Sequence, residues 1–219
     1  QETWELQGTI EGGTTGASRP VRLSLDGDRL VVMWLGSSGV REFYHYADGK
    51  WCRTNETIGY SEPVQGGGSS LYPGNVSMRG DRLVWIYRVA SNNKHKAFVH
   101  VKNPTTEAWS MEAAFSPPAG SPAGFTGTCL LEGDRIFLGC PDDSSNGTSA
   151  GACYIYRRDT VQGWLLEQVL TPGGSYSNAA RNIAYDGARL VLSGIDAASA
   201  TSGKAKVWTY LHDEQAGWV

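Results

Sequence analysis

A tight turn followed by arginine and an aliphatic residue occurs four times in the chain, as Gly27-Asp28-Arg29-Leu30, Gly80-Asp81-Arg82-Leu83, Gly133-Asp134-Arg135-Ile136 and Gly187-Ala188-Arg189-Leu190. The glycines lie 53, 53 and 54 residues apart, so four copies of one unit occupy nearly all 219 residues. A fixed period of this length is the signature of a repeat architecture. Each unit contains four strand candidates. One enters the turn (Val21–Leu25, Asn75–Met78, Thr128–Leu131, Asn182–Tyr185), and a second leaves it (Leu30–Leu35, Leu83–Tyr87, Ile136–Gly139, Leu190–Ser193). A third is rich in aromatic and β-branched residues (Val40–Tyr46, Ala97–Val101, Cys153–Tyr156, Val207–Leu211), and a fourth opens with Trp51, Trp109 or Trp164. Several second strands are apolar on both faces, which requires cover on both sides, as neighbouring blades provide.

These features predict an all-β chain forming one domain over 1–219. The expected fold is a four-bladed β-propeller with blades near 20–58, 73–116, 127–171 and 181–219 plus 1–10. Trp4 precedes Gly27 by the same 23 residues that separate Trp164 from Gly187. Trp4–Ile10 is therefore expected to join the last blade as its outer strand and close the ring, removing open sheet edges. Trp218 leaves an alternative, in which the last unit starts its own fourth strand and Trp4 belongs to another blade or a neighbouring copy.

Net charge is −3, from 19 basic and 22 acidic residues, and no basic stripe suggests nucleic acid as a partner. No apolar run approaches the ~20 residues of a membrane-spanning helix. A chain opening at Gln1 reads as a processed, secreted product. Three sequons, at Asn55, Asn75 and Asn146, fit a secreted glycoprotein. Four cysteines suit an oxidising compartment, and Cys140 and Cys153 flank one long loop, where a disulfide would clamp its base. Cys129 is a competing partner for Cys140, and Cys52 has no evident one.

The stretch from Gly133 to Pro172 contains Gly-Asp-Arg-Ile, Gly139-Cys140-Pro141, Asp142-Asp143-Ser144-Ser145-Asn146-Gly147-Thr148, Cys153-Tyr154-Ile155-Tyr156-Arg157-Arg158 and Gly163-Trp164. It resembles the FG-GAP repeats of integrin-α-type propellers along its whole length, while the other units keep less of the pattern. The resemblance implies a propeller used in adhesion, ligand binding or assembly, and seldom in catalysis. It also brings calcium into view, with Asp142, Ser144 and Asn146 as oxygen ligands, against a simpler reading as a polar hairpin loop held by Asx turns.

Arg79-Gly80-Asp81 falls on the repeated turn, and turn chemistry explains it. The long loops between second and third strands and the inter-blade connections are expected on one side, the recognition face. Tyr60, Tyr72, Phe125 and Tyr176 lie on the connections, either as binding aromatics or as plugs between blades. No nucleophile elbow, phosphate loop or metal-type histidine spacing is present. The resulting expectation is a non-catalytic secreted module that binds a protein or self-assembles. A glycan-binding lectin is the alternative, and a propeller hydrolase the least favoured.

Overall fold

The structure, a computed structural model, describes residues 6, 8–10, 19–35, 41–58, 74–88, 94–117, 119, 121–199 and 202–219. These residues form sixteen strands and no helix, in four four-stranded antiparallel meanders. The first sheet is β1 (Arg19–Asp26), β2 (Arg29–Leu35), β3 (Arg41–Ala47) and β4 (Lys50–Arg53). The second is β5 (Val76–Arg79), β6 (Arg82–Arg88), β7 (His95–Lys102) and β8 (Trp109–Phe115). The third is β9 (Cys129–Glu132), β10 (Arg135–Cys140), β11 (Ala152–Asp159) and β12 (Gly163–Leu170). The fourth is β13 (Ile183–Tyr185), β14 (Arg189–Ser199), β15 (Ser202–Asp213) and β16 (Gly217–Trp218). No helix among the described residues is long and apolar enough to cross a membrane.

The turn that the sequence repeats sets the register of every sheet. Gly27, Gly80 and Gly133 have φ near +59, +53 and +59°, the left-handed conformation that a two-residue hairpin demands and that glycine adopts without a Cβ penalty. From there side chains alternate between two faces. In β6, Leu83, Trp85 and Tyr87 pack with Val31, Met33 and Phe43 of the first sheet, while Val84 and Ile86 pack with Ile136, Leu138 and Cys140 of the third. Phe137, Cys153 and Ile155 then meet Ile183, Leu190 and Leu192 of the fourth. The core is thus three seams between four sheets. Each aliphatic side chain buried in them contributes about 1.5–3 kcal/mol.

The innermost strands are stitched together by the repeated sequence. Ser24 Oγ accepts from the backbone of Met78 at 2.9 Å, and Ser77 Oγ accepts from that of Leu131 at 3.0 Å. Arg79 reaches Glu132 at 2.9 Å on one side and Asp26 at 3.6 Å on the other. The arginine of the Arg-Gly-Asp tripeptide therefore ties three turns together.

Two expectations are corrected. The fourth position of the last sheet, where Trp4–Ile10 was expected, is held among the described residues by Gly217–Trp218, with Val219 and Leu211 exchanging backbone hydrogen bonds at 2.8 and 2.9 Å, and closure by the N-terminal strand is not confirmed. Ile10 packs instead against Val32 and Tyr44 of the first sheet, and Trp4 lies outside the described residues. The second correction concerns Cys140 and Cys153. Cys140 pairs with Ala152 and Cys153 with Gly139, which puts the two side chains on opposite faces, in different seams. No disulfide can join them there, and all four cysteines are free thiols.

Candidate functional site

Each seam is closed at its turn end by an arginine, a glutamate and a tryptophan. In the second seam the marker arginine, Arg82, grips Glu112 through Nε and Nη2 at 3.0 and 3.2 Å. From the third sheet, Arg158 Nε and Trp164 Nε1 donate to the same carboxylate at 3.1 and 3.0 Å. Burial opposes the charge on Glu112, but these donors outweigh it and hold its carboxyl below the usual range. In the third seam Arg135 grips Glu167 at 2.9 Å through both nitrogens, under the ring of Trp218. Glu167 is likewise held below its ordinary pKa, against the cost of burial, by Arg135 foremost. Both arginines are spent on their partners.

The first seam departs from this pattern. Trp109 Nε1 donates to Glu56 at 2.7 Å, as the repeat requires. Arg29, however, stands 3.9 Å from Glu56, beyond hydrogen-bond range. Lys102 takes up the other carboxylate oxygen at 3.2 Å and also reaches Glu107 at 3.6 Å. Arg29 is fixed by a 2.6 Å bond from Nη1 to the carbonyl of Gly80 and by the face of Trp109, 5.8 Å away. Its Nη2 is buried and has no hydrogen-bond partner. Leaving such a donor unmet costs about 1–3 kcal/mol. The local cause is the strand end. β4 stops at Arg53, and Thr54 Oγ1 accepts from the backbone of Glu56 in a short turn that sets the acid two residues later than in the other units.

Around this orphaned donor a cleft of about 1040 Å³ opens, lined among others by Asp28, His45, Thr54, Glu56, Lys102 and Trp109. His45, directly opposite Arg29 in the sheet, holds Asp28 Oδ2 at 2.8 Å through Nε2. The tautomer that donates from Nε2 leaves Nδ1 as the basic nitrogen. An oriented imidazole, a lysine and an unsatisfied guanidinium thus share one hollow. A smaller hollow of about 730 Å³ lies near the second seam, but its charges are matched, with Arg157 on Asp134 at 2.9 Å and Arg135 on Glu167.

Of the described residues expected from the sequence as binding, metal, disulfide or glycosylation sites, Asn55 alone, an exposed sequon asparagine, lines this cleft. Tyr60 and Tyr72 lie outside the described residues. Phe125 is fully buried and meets Tyr154 edge-on at 5.8 Å, so it is a plug and not a binding aromatic. Tyr176 is half-buried with φ near +63°, its backbone bonded to Thr148. The Asn75 amide donates to the carbonyl of Gly127 at 2.8 Å. Asn146 is exposed, with its amide nitrogen directed to the carbonyls of Thr171 and Gly173.

Asp142 accepts from Ser121 Oγ at 3.1 Å and the backbone of Ala123 at 2.7 Å, while Ser144 Oγ accepts from Ser149 N at 3.0 Å. Asp143 holds the Tyr154 hydroxyl at 2.8 Å. No group of three or more His, Cys, Asp or Glu side chains suited to a metal occurs among the described residues. The cleft also sits at the short-turn end, away from the long loops expected to carry recognition. Its sequence signal was a shift in spacing. Trp109 and Trp164 precede their glutamates by three residues, whereas Trp51 precedes Glu56 by five.

No family model and no curated protein matches the chain. Solved structures do. One from Bacteroides uniformis, described as a "putative 6-phosphogluconolactonase", aligns with a TM-score of 0.59 at 10% identity, over 95% of this chain and 57% of that one. The computationally designed Ika4 protein aligns at 0.49 over 94% and 98%, with 10% identity. A GH43 endo-arabinanase from Bacillus licheniformis aligns at 0.35 over 90% and 95%, with 9% identity. At such identities the likeness establishes a β-propeller-type fold alone, and this chain spans little more than half of the first structure. It nevertheless overturns the expectation of a non-catalytic module and the exclusion of an enzyme. A structure described as a "putative 6-phosphogluconolactonase" shares this kind of scaffold, so the architecture gives no ground for setting catalysis aside.

Proposed function

We propose that the chain is a hydrolase whose active site is the cleft between the first and second sheets, acting on a cyclic ester of a polyhydroxy acid. The observation that carries this reading is the buried Nη2 of Arg29, which has no hydrogen-bond partner and stands 3.9 Å from Glu56, held rigid by Gly80 and Trp109 beside the His45–Asp28 pair. A guanidinium donor left open while its repeat equivalents are closed calls for an oxygen acceptor from a ligand. The fold shared with a structure described as a lactonase supports the ester class.

In the reaction, His45 takes a proton from water as the water oxygen adds to the ester carbonyl carbon. Arg29 and Lys102 face the negative charge that develops on the carbonyl oxygen. The bond from that carbon to the ring oxygen then breaks, and the protonated imidazole returns its proton to the leaving oxygen. One lactone and one water give one hydroxy acid. Asp28 keeps the ring oriented throughout, and Glu56 and Glu107 accept hydrogen bonds from substrate hydroxyls.

The test is proton release from a panel of aldonolactones, neutral and phosphorylated, followed by pH-stat. Turnover above the uncatalysed rate is expected, falling by about 10²-fold in His45→Gln with the fold intact. Absence of turnover on every lactone, or a His45→Gln variant as active as the parent, contradicts the assignment.

A further inference from the structure

The two outward faces of the four-sheet array carry the same residue positions that are buried inside it. Counted from the turn glycine, Leu23 and Leu25 of β1 correspond to Val76 and Met78 of β5 and to Cys129 and Leu131 of β9. Those four are buried against the preceding sheet. Leu23 is 64% and Leu25 51% exposed. At the other end, Val207 and Thr209 of β15 correspond in register to Cys153 and Ile155 of β11 and to Ala97 and Val99 of β7. All four counterparts are fully buried against the next sheet. Val207 is 60% exposed, Thr209 is exposed, and Leu211 beside them is 54% exposed.

One end of the array therefore presents the leading half of a seam and the other end the trailing half. The chain makes that seam three times within itself, and the outward faces carry the positions that meet there. Ile10 borders the leading face at Val32 and Tyr44 and leaves the inner strand open.

We propose that two copies of the chain associate head to tail, the Val207–Leu211 face of each packing on the Leu23–Leu25 face of the other. Such an interface joins unlike surfaces, and it ends in a ring when the rotation closes. Propellers close with about four to eight sheets, and two copies supply eight. Three copies would exceed that range. A second copy continues an interface already present in the fold, and among the described residues no other surface offers both halves of it.

Native mass measurement and light scattering test this with two double variants, Leu23→Glu with Leu25→Glu and Val207→Glu with Leu211→Glu. All four residues are exposed, so each variant should keep the parent's circular dichroism. The parent is expected to be a dimer and each variant a monomer. Mixing the two variants should restore a two-chain species, because one leading and one trailing face survive between them. A parent that stays monomeric at high concentration overturns the proposal. So does a dimer that persists in either variant, a mixture that remains monomeric, or growth into filaments. The variants leave the cleft untouched, so lactone turnover separates failure here from failure of the hydrolase reading.

Discussion

The indole nitrogen of Trp109 lies 2.7 Å from a carboxylate oxygen of Glu56, joining the second sheet to the first at the mouth of the cleft. The same bond recurs between Trp164 and Glu112 at 3.0 Å, where no ligand-facing donor is left over. Trp109→Phe and Trp164→Phe should each cost about 1–2 kcal/mol in urea unfolding, one charge-assisted hydrogen bond apiece. Only Trp109→Phe should also lower lactone turnover, because it alone releases Glu56 and the stack on Arg29. Equal turnover in the two variants would place the chemistry elsewhere.

Glu112 and Glu167 make stability depend on acidity in one direction. Their folded carboxyls titrate below the ordinary glutamate value of 4.5, so the stability they confer is complete above that pH. It is lost as pH falls through the depressed folded values, where the unfolded chain binds more protons. Melting temperature should hold level above about pH 5 and decline below it. Glu112→Gln should flatten the decline. A melting temperature that rises on acidification would contradict the seam account.

Glu112→Ala leaves Arg82, Arg158 and Trp164 facing one another without the acid that joins them. A loss of about 2–3 kcal/mol is expected by chemical denaturation, from donors left partly buried and unmet. A change within experimental error would show that water replaces the carboxylate freely.

The thiols offer a direct count. Cys129, Cys140 and Cys153 are buried, and burial pushes each thiol well above its ordinary pKa, whereas Cys52 is exposed. An aromatic disulfide reagent should therefore label one thiol in the native protein and four after denaturation. Two missing thiols after denaturation would reveal a disulfide and restore the bridge expected from spacing.

Gly151 has φ near +84°, and a Cβ there would sit 2.2 Å from the backbone nitrogen of Ala179. Gly151 forms a parallel bridge with Ala179, tying the connection between the third and fourth sheets to the end of β11. Gly151→Ala should cost more than 2 kcal/mol, roughly twice the penalty of a glycine with open space such as Gly133. Similar losses at the two positions would mean the connection yields.

The four sheets were legible because turn glycine, strand alternation and tryptophan recur at one period, and each depends only on local chemistry. What failed depended on pairing across distance. Cys140 and Cys153 flank a loop in sequence, but an antiparallel register offset by one residue sends them to opposite faces. Trp4 and Trp218 are equally good strand starters; β15 pairs with Trp218, and Trp4 lies outside the described residues. Phe125 stood between a binding aromatic and a plug, and its burial against Tyr154 in the second seam decides for the plug. The cleft was the hardest to see, because its mark is an arginine whose partner has moved two residues along the chain.

The most direct measurement is an NMR titration of an aldonic acid, the hydrolysis product, read at the indole N–H resonances. The account predicts a saturable shift of Trp109, which borders the orphaned Arg29 donor, with Trp164 at the closed second seam unmoved. Equal shifts at both indoles, or a shift at Trp164 alone, would contradict the placement of the site between the first two sheets.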